Sequence, residues 1–182
     1  KPDLVSNSIK SFLAQSYPNK ELVFIYEDNN PYIQEIKNLF SDKSIKYYEI
    51  KYNPNIKLGS LRNISLEKAL GKYIIQWDDD DVYHANRIMV QYTYLTTHNA
   101  RAVMLDQRYI LMHDTLYLSN VWPFEGSIMT EKSLLFDMYL NKSRSEDTDI
   151  LITLLEQNLV DFIQCPYLYI YKFHGENVFN EE

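Results

Sequence analysis

The 182-residue chain is long enough for one domain with a hydrophobic core, and its composition excludes several classes of protein. Its formal net charge of −7 argues against nucleic-acid binding as the main role, because no basic stripe is present to neutralise phosphates. The one cysteine, Cys165, excludes an internal disulfide framework and a cysteine-based zinc site.

Helical and strand patterns alternate through the first half of the chain. Apolar residues recur at helical spacing from Val5, and a turn signal stands at 17–19. The continuous apolar run 22–26 predicts a buried parallel strand. The elements predicted next are a helix at 33–40, a strand at 45–50 and a helix at 58–70 that Gly71 would cap. This alternation predicts an α/β fold in which helices cover both faces of a doubly wound, mostly parallel sheet.

The following strand ends in four consecutive carboxylates. The apolar run 73–77 leads directly into Asp78, Asp79, Asp80 and Asp81. In open α/β sheets, ligands bind at the carboxyl ends of the strands. Because adjacent like charges repel, such a loop favours a divalent cation as its partner, and hard metals such as Mg²⁺ take carboxylate oxygens. A solvated acidic loop is the alternative interpretation.

Shorter elements are predicted in the second half of the chain. Apolar residues at 88–95 form one inward helical face. Alternating residues at 101–111 and 115–121 predict antiparallel strands joined by a hairpin across His113 and Asp114, a small addition to the main sheet. The last predicted elements are a short helix at 132–140, a helix carried by 150–155 and a strand at 167–171.

Polar residues near the end of the chain are further candidates for a functional site. Ser143 and Glu146 fit a capping box at the start of a helix. Asp147 shares the inward face of the apolar pair 150–151, where the helix dipole would keep a carboxylate ionised. That environment suits a general base, and a structural role is the alternative. His174 follows a strand and precedes a glycine, so it either forms ordinary hydrogen bonds or reaches a site in a loop.

These motifs, in this order, resemble those of glycosyltransferase family 2, which has the nucleotide-sugar-binding GT-A fold. The resemblance covers essentially the whole chain. It implies one GT-A domain over 1–182, with a nucleotide-binding half at 1–83 and an acceptor-binding, catalytic half at 84–182. The segments that carry it are 8–23, 61–74, the acidic run 78–81 as the DxD motif, WPFEGS at 122–127, Glu146-Asp147 as the ED pair, and the histidine segment 168–177.

The resemblance also implies a role for each candidate residue. Donor binding would involve Glu27, Asp28, Arg62, Asp78 and Asp79, with Asp28 on the nucleotide base and Arg62 near the diphosphate or bracing the acidic loop. Mg²⁺ or Mn²⁺ would be held by Asp78, Asp80, Asp81 and His174 and would stabilise charge on the leaving nucleoside diphosphate. The catalytic pair would be Asp147, as general base, and Glu146. The sugar and acceptor side would be lined by Trp122, Glu125 and Gly126.

The implied activity is that of an inverting, hexosyltransferase-type enzyme in glycan or polysaccharide synthesis. It would move a sugar from a UDP-sugar to an acceptor hydroxyl, with metal assistance and without binding nucleic acid. The sequence departs from the family pattern in two places. Asn29-Asn30 stand where the family has Gly-Ser, and the chain opens with a helix where the family has its first strand, which carries part of the nucleotide pocket.

Two other functions stay open at this point. A domain that lacks the first strand could bind nucleotide sugars without turnover. A metal-dependent nucleotidyltransferase is disfavoured, because no glycine-rich loop with a lysine or arginine stands early in the chain to bind a triphosphate. We also predict a soluble, cytoplasmic domain that could be membrane-associated in the full-length protein, since no signal peptide and no apolar run near about 18 residues is present.

Overall fold

The computed structural model describes residues 2–174 and Asn177, so Gly175 and Glu176 of the predicted histidine segment lie outside the described residues. The helices are α1 (Pro2–Leu13), α2 (Ile33–Leu39), α3 (Leu58–Lys68), α4 (Arg87–His98), α5 (Lys132–Leu135) and α6 (Thr148–Glu156). The strands are β1 (Leu22–Glu27), β2 (Ile45–Ile50), β3 (Tyr73–Ile75), β4 (Val82–Tyr83), β5 (Ala102–Leu105), β6 (Tyr109–Met112), β7 (Thr115–Leu118), β8 (Met129–Glu131), β9 (Val160–Ile163) and β10 (Tyr169–Lys172).

The predicted alternation in the first half of the chain is confirmed, with one boundary corrected. β1 and β2 pair in parallel along their whole length. α3 ends at Lys68, because Ala69 already has extended backbone with φ −66° and ψ 136°. The prediction that Gly71 caps this helix was therefore wrong. The amide N–H groups of Leu70 and Gly71 instead donate to the Glu21 carboxylate, at 2.6 and 3.0 Å.

The two larger sheets contain both parallel and antiparallel pairs. One sheet has the order β3-β8-β5-β9, in which β8 is antiparallel to both neighbours and β5 is parallel to β9. The other has the order β4-β10-β6-β7, in which β10 and β6 are parallel. The strand predicted at 101–111 is in fact two strands, β5 and β6, that belong to different sheets. The hairpin prediction is confirmed: β6 and β7 pair across His113 and Asp114, whose φ angles of 47° and 61° are left-handed.

The core is built around β5, and helices cover both of its faces. Its four residues are at most 1% exposed. Val103 and Leu105 pack with Ile88 and Leu95 of α4. Ala102 and Met104 pack with the apolar face of α6 and with α3. Because successive side chains of a strand point to opposite faces, one strand of four apolar residues joins the two helical layers.

Strands β1 and β3 are less completely covered than β5. In residues 2–174, β1 pairs with β2 alone and β3 pairs with β8 alone. Residues of both strands line one cavity of about 950 Å³, which extends to Asp78 and Asp79. The apolar residues of β1 and β3 are therefore mostly half-buried.

The longest helices of the described chain, α1 and α4, have 12 residues each. None of the helices in residues 2–174 is both long and apolar enough to cross a bilayer.

Candidate active site

The acidic run forms a loop at the carboxyl end of β3, and neighbouring elements fix its backbone. The Asp78 carbonyl oxygen accepts hydrogen bonds from Ser8 Oγ on α1, at 2.9 Å, and from the Tyr83 hydroxyl on β4, at 3.0 Å. The indole N–H of Trp77 donates to the Ser8 carbonyl oxygen at 3.2 Å. Helix α1 and strand β4 thus hold the start of the loop in place.

Arg62 of α3 joins the acidic loop to the Glu146–Asp147 pair. Its Nη2 donates to Asp78 Oδ1 at 3.2 Å, and its Nε donates to Glu146 Oε1 at 2.8 Å. Burial acts to lower the pKa of Arg62, but the charges of Asp78, Glu146 and Asp147 and the nearby Tyr139 outweigh it, so that the pKa is raised. The acidic loop and the Glu146–Asp147 pair therefore share one guanidinium, which lies 84 positions before Glu146 in sequence.

Asp81 lies inside the loop and is almost fully buried, at 2% exposure. Its Oδ2 accepts a hydrogen bond from the Tyr169 hydroxyl at 2.6 Å, and its Oδ1 accepts one from the Lys172 backbone N–H at 2.8 Å. Burial and then the charge of Asp78 raise the pKa of Asp81 to about 8. Burial, with the charges of Asp80 and Asp78, also raises the pKa of Asp79. The loop therefore favours binding of a positive partner.

Asp80 points toward the C-terminal histidine segment. Its Oδ2 lies 3.0 Å from His174 Nε2, and the His174 backbone N–H donates to Asn177 Oδ1 at 2.7 Å. Carboxylate oxygens and an imidazole nitrogen are suitable ligands for Mg²⁺ or Mn²⁺. Within the described residues, no three acidic, histidine or cysteine side chains are already arranged to hold a metal ion. The metal assignment of Asp78, Asp80, Asp81 and His174 therefore stays a prediction.

The Glu146–Asp147 pair lies just ahead of α6, and its structure corrects the predicted capping box. The helix begins at Thr148, with Asp147 as N-cap residue and no side-chain bond to the helix. Glu146, which is 3% exposed, binds Arg62 instead of reaching back to the residue at 143. A buried carboxylate gains more from a guanidinium than from a backbone amide, which explains the difference.

Asp147 is the carboxyl whose environment best suits proton transfer. Burial raises its pKa to about 6, the charge of Glu146 adds to this, and Arg62 opposes it. The Glu125 charge also raises the pKa of Asp147, so this predicted acceptor-side residue faces the same space. A carboxyl with a pKa near 6 can both take up and release a proton close to neutral pH.

The predicted acceptor-side segment packs against the acidic loop. A Cβ atom placed on Gly126 would lie 3.2 Å from Asp78 Oδ2 and 2.8 Å from the Phe124 ring. Any larger residue at this position would therefore displace the Phe124 ring or the Asp78 carboxylate. Trp122 is 67% exposed, and its backbone N–H donates to the Asp106 carbonyl oxygen at 2.8 Å. Gly126 therefore lies beside the acids, while the Trp122 ring faces solvent.

The predicted donor-binding residues Glu27 and Asp28 are not bonded to the acidic loop in the described part of the chain. Asp28 is exposed at the end of β1, and its Oδ1 accepts a hydrogen bond from the Tyr52 N–H at 2.9 Å. In the described part of the chain, no hydrogen bond or ion pair joins Glu27 or Asp28 to the residues 78–81. Asp78 and Asp79 line the cavity between β1 and β3, whereas Glu27 and Asp28 do not.

A buried cation–aromatic cluster behind the loop was missed in the sequence. The Arg87 side chain is fully buried, and its guanidinium carbon lies 4.6 Å from the Tyr83 ring and 4.9 Å from the Tyr169 ring. Arg87 Nη2 donates to the Gly126 carbonyl oxygen at 3.1 Å. The hydroxyls of the two tyrosines bind the Asp78 backbone and the Asp81 side chain. The chain's 16 tyrosines were the available signal, but nothing local indicates which of them support a site.

The sequence model of the family named glycosyl transferase family 2 matches residues 1–153. The chain belongs to glycosyl transferase family 2. His174 lies beyond the matched residues. An uncharacterised glycosyltransferase of Rickettsia conorii is 30% identical over 125 residues, which are 64% of this chain and 20% of that protein. The chain thus spans about a fifth of that relative's length.

Further relatives of this family 2 domain include a functionally named enzyme and a solved structure. The Escherichia coli UDP-Glc:alpha-D-GlcNAc-diphosphoundecaprenol beta-1,3-glucosyltransferase WfgD is 24% identical over 178 residues, 90% of this chain and 69% of that protein. The crystal structure of S. aureus TarS 1–349 in complex with UDP-GlcNAc superimposes with a TM-score of 0.78 at 14% identity, over 95% of this chain and 56% of that one. This similarity confirms the predicted GT-A-like α/β fold.

Proposed function

We propose that this family 2 domain transfers a sugar from a UDP-sugar to an acceptor hydroxyl, with inversion at the anomeric carbon. One arrangement carries the proposal: Arg62 binds Asp78 of the acidic loop and Glu146 beside Asp147 with the same guanidinium. A loop that can hold a charged leaving group and a carboxyl that can accept a proton are thereby joined in one site. These are the two functions that sugar transfer to a hydroxyl requires.

The acidic loop would bind the diphosphate end of the donor. Asp80 and His174, with Asp78, would hold Mg²⁺ or Mn²⁺, and the ion would supply positive charge to the leaving diphosphate. Asp81 already accepts hydrogen bonds at both carboxyl oxygens, so its main role would be to support the loop from within. It would be a substitute for the other aspartates as a metal ligand. Asp28 at the end of β1 would bind the nucleotide base across the cavity.

Asp147 would act on the acceptor. Its carboxylate would remove the proton of the acceptor hydroxyl as the oxygen attacks the anomeric carbon, while the bond from that carbon to the diphosphate oxygen breaks on the opposite face. One displacement gives inversion and needs no covalent sugar–enzyme intermediate. Glu146 would fix Arg62 and, by its charge, help to keep the pKa of Asp147 near neutral. Trp122, Glu125 and Gly126 would border the sugar and the acceptor.

The relatives support a UDP-sugar as the donor. The name of WfgD specifies UDP-Glc, and the TarS crystals contain UDP-GlcNAc or UDP. For this chain, the sugar and the acceptor are proposals at the level of class: a hexose on UDP, and the hydroxyl of a glycan.

A second candidate is a domain that binds nucleotide sugars without turnover. The observation that favours it is the cavity of about 950 Å³, whose lining includes residues of β1 and β3 together with Asp78 and Asp79 but not Asp28. A donor held at one end only would bind weakly and would be poorly aligned for attack.

The test is calorimetric titration of UDP with and without Mn²⁺, followed by measurement of UDP-sugar hydrolysis and transfer. We expect UDP binding that depends on Mn²⁺ and is lost in Asp80→Ala, since that change removes a predicted metal ligand. Binding with no hydrolysis of any UDP-sugar would favour the second candidate. UDP binding of equal affinity without metal, and in Asp80→Ala, would contradict the proposed metal site.

A further inference from the structure

Arg108 lies in the link between β5 and β6, and its backbone is fixed in place. Its N–H donates to Ser119 Oγ at 3.0 Å, and its carbonyl oxygen accepts from the Ser119 N–H at 2.9 Å. The neighbouring Gln107 side chain donates to the Ser119 carbonyl oxygen at 2.9 Å. Three hydrogen bonds to one residue thus hold the point from which the Arg108 side chain leaves the chain.

The guanidinium of Arg108 lies on an aromatic wall of the candidate active site. Its central carbon is 3.7 Å from the centre of the Phe124 ring and 5.7 Å from that of Tyr171. Phe124 in turn packs edge-on against Tyr169, whose hydroxyl binds Asp81. A positive charge is therefore held two aromatic rings, Phe124 and Tyr169, away from Asp81 of the acidic loop.

Arg108 has no ionic partner among residues 2–174 and Asn177. Its Nε is buried and makes no hydrogen bond, and none of the ion pairs in the described chain involves this side chain. Burial lowers the pKa of Arg108, while Tyr169, Asp81 and Tyr171 act in the opposite direction. Asp106, two positions earlier, also leaves its buried Oδ1 without a partner. Buried charged groups are costly when unpaired, and an unpaired buried group in a native structure needs an explanation, such as a catalytic role or a bound water or ion.

The other two arginines near the loop, Arg62 and Arg87, already bind other groups of the protein. Arg62 binds two carboxylates, Asp78 and Glu146. Arg87 is enclosed by aromatic rings and donates to Gln91 Oε1 and to the Gly126 carbonyl oxygen. Arg87 Nη1 also lacks a partner in the described chain, but the Arg87 side chain is fully buried, whereas Arg108 is only partly buried. Arg108 is therefore the guanidinium of these three that a further group can reach.

We infer that Arg108 binds the phosphate next to the sugar in the nucleotide-sugar donor, on the side of that phosphate that faces Phe124. The inference rests on the proposed function. A diphosphate placed at an acidic loop needs cations besides the metal, and a planar guanidinium matches phosphate oxygens with two parallel N–H donors. The aromatic ring beneath the guanidinium fixes its plane, so little side-chain freedom is lost on binding.

The test compares UDP, which has the second phosphate, with UMP, which lacks it. Calorimetric affinities with Mn²⁺ are measured for wild type, Arg108→Met, Arg108→Lys and the control Arg101→Met, which removes an exposed arginine paired with Glu131. In Arg108→Met we expect UDP binding to weaken about tenfold or more and UMP binding to stay within about twofold of wild type. Arg108→Lys should fall between, and the control should match wild type.

Each other outcome overturns a defined part of the inference. Equal weakening of UDP and UMP would indicate that Arg108 acts through loop structure rather than on the second phosphate. Unchanged UDP binding in a folded Arg108→Met or Arg108→Lys, judged by wild-type circular dichroism, would overturn the inference alone. A wild-type protein that binds no UDP would overturn the proposed function, and the inference with it.

Discussion

The acidic loop and the Glu146–Asp147 pair are both clusters of carboxyl groups, but their carboxyl groups differ in hydrogen bonding and in pKa. In the loop, Asp81 has hydrogen bonds at both oxygens and a pKa raised to about 8. At the start of α6, Asp147 has a pKa raised to about 6 and no side-chain bond to the helix. Burial is the largest cause of both pKa shifts, so the difference between the regions lies in what the carboxyl oxygens contact.

This difference suggests a division of labour between the two regions. Carboxyls that are fixed by hydroxyls, amides and a guanidinium keep their geometry, as a site for a charged ligand requires. A carboxyl that is desolvated but not fixed can exchange a proton, as a general base requires. Arg62 connects the regions, so that each is held at a set position relative to the other.

The largest expected effect on this comparison comes from Asp147→Asn. Transfer should fall by a factor of about 10² to 10⁴, because the amide cannot accept the acceptor proton. UDP affinity in the presence of Mn²⁺ should stay within about twofold of wild type, since Asp147 makes no direct bond to the acidic loop. The rate is measured by UDP release and the affinity by calorimetry. Retained transfer would sink the general-base assignment.

Arg62→Met should break the connection between the regions and destabilise the fold. It leaves Glu146, at 3% exposure, buried without its cation, and loss of one partner of a buried pair costs about 3–5 kcal/mol. Urea unfolding gives the loss, and Arg101→Met serves as control because its exposed pair contributes about 1 kcal/mol or less. Adding Glu146→Met to Arg62→Met should recover part of the stability. If both single arginine variants lose the same amount, Arg62 is not the connecting residue.

The smallest expected effect is the pH dependence of transfer and stability that the raised pKa of Asp147 produces. Asp147 must be ionised to accept a proton, so transfer should fall about tenfold per pH unit as pH drops below its pKa of about 6. Because its folded pKa is raised, the folded state favours the protonated carboxyl. Its contribution to stability is therefore lost as pH rises from about 4 to about 6. Rate profiles and melting temperatures across this range test both statements.

In Asp147→Asn, the part of the melting profile that belongs to this carboxyl should disappear. A rate for wild type that does not change between about pH 5 and about pH 7 would place the essential proton elsewhere.

Local patterns in the sequence were enough to predict the alternation of helices and strands, the hairpin at His113 and Asp114, and the acids at the end of β3. Periodicity and turn residues act over a few positions, so the printed chain shows them directly. The same patterns gave wrong predictions where a group distant in sequence binds the residue or the amide in question. The residue at 146 was predicted to cap a helix and instead binds Arg62, and Glu21 rather than a glycine cap binds the amides after α3.

The sequence by itself determined that this protein is an α/β domain of glycosyl transferase family 2 with an acidic loop at the end of a strand. Only the tertiary structure decided that four identical aspartates differ, with Asp81 buried against Tyr169 and Asp80 beside His174. It likewise decided that Arg108 has no ionic partner among residues 2–174 and Asn177. The two contacts that distinguish these aspartates join residues 88 and 94 positions apart, whose burial and charge no local pattern encodes.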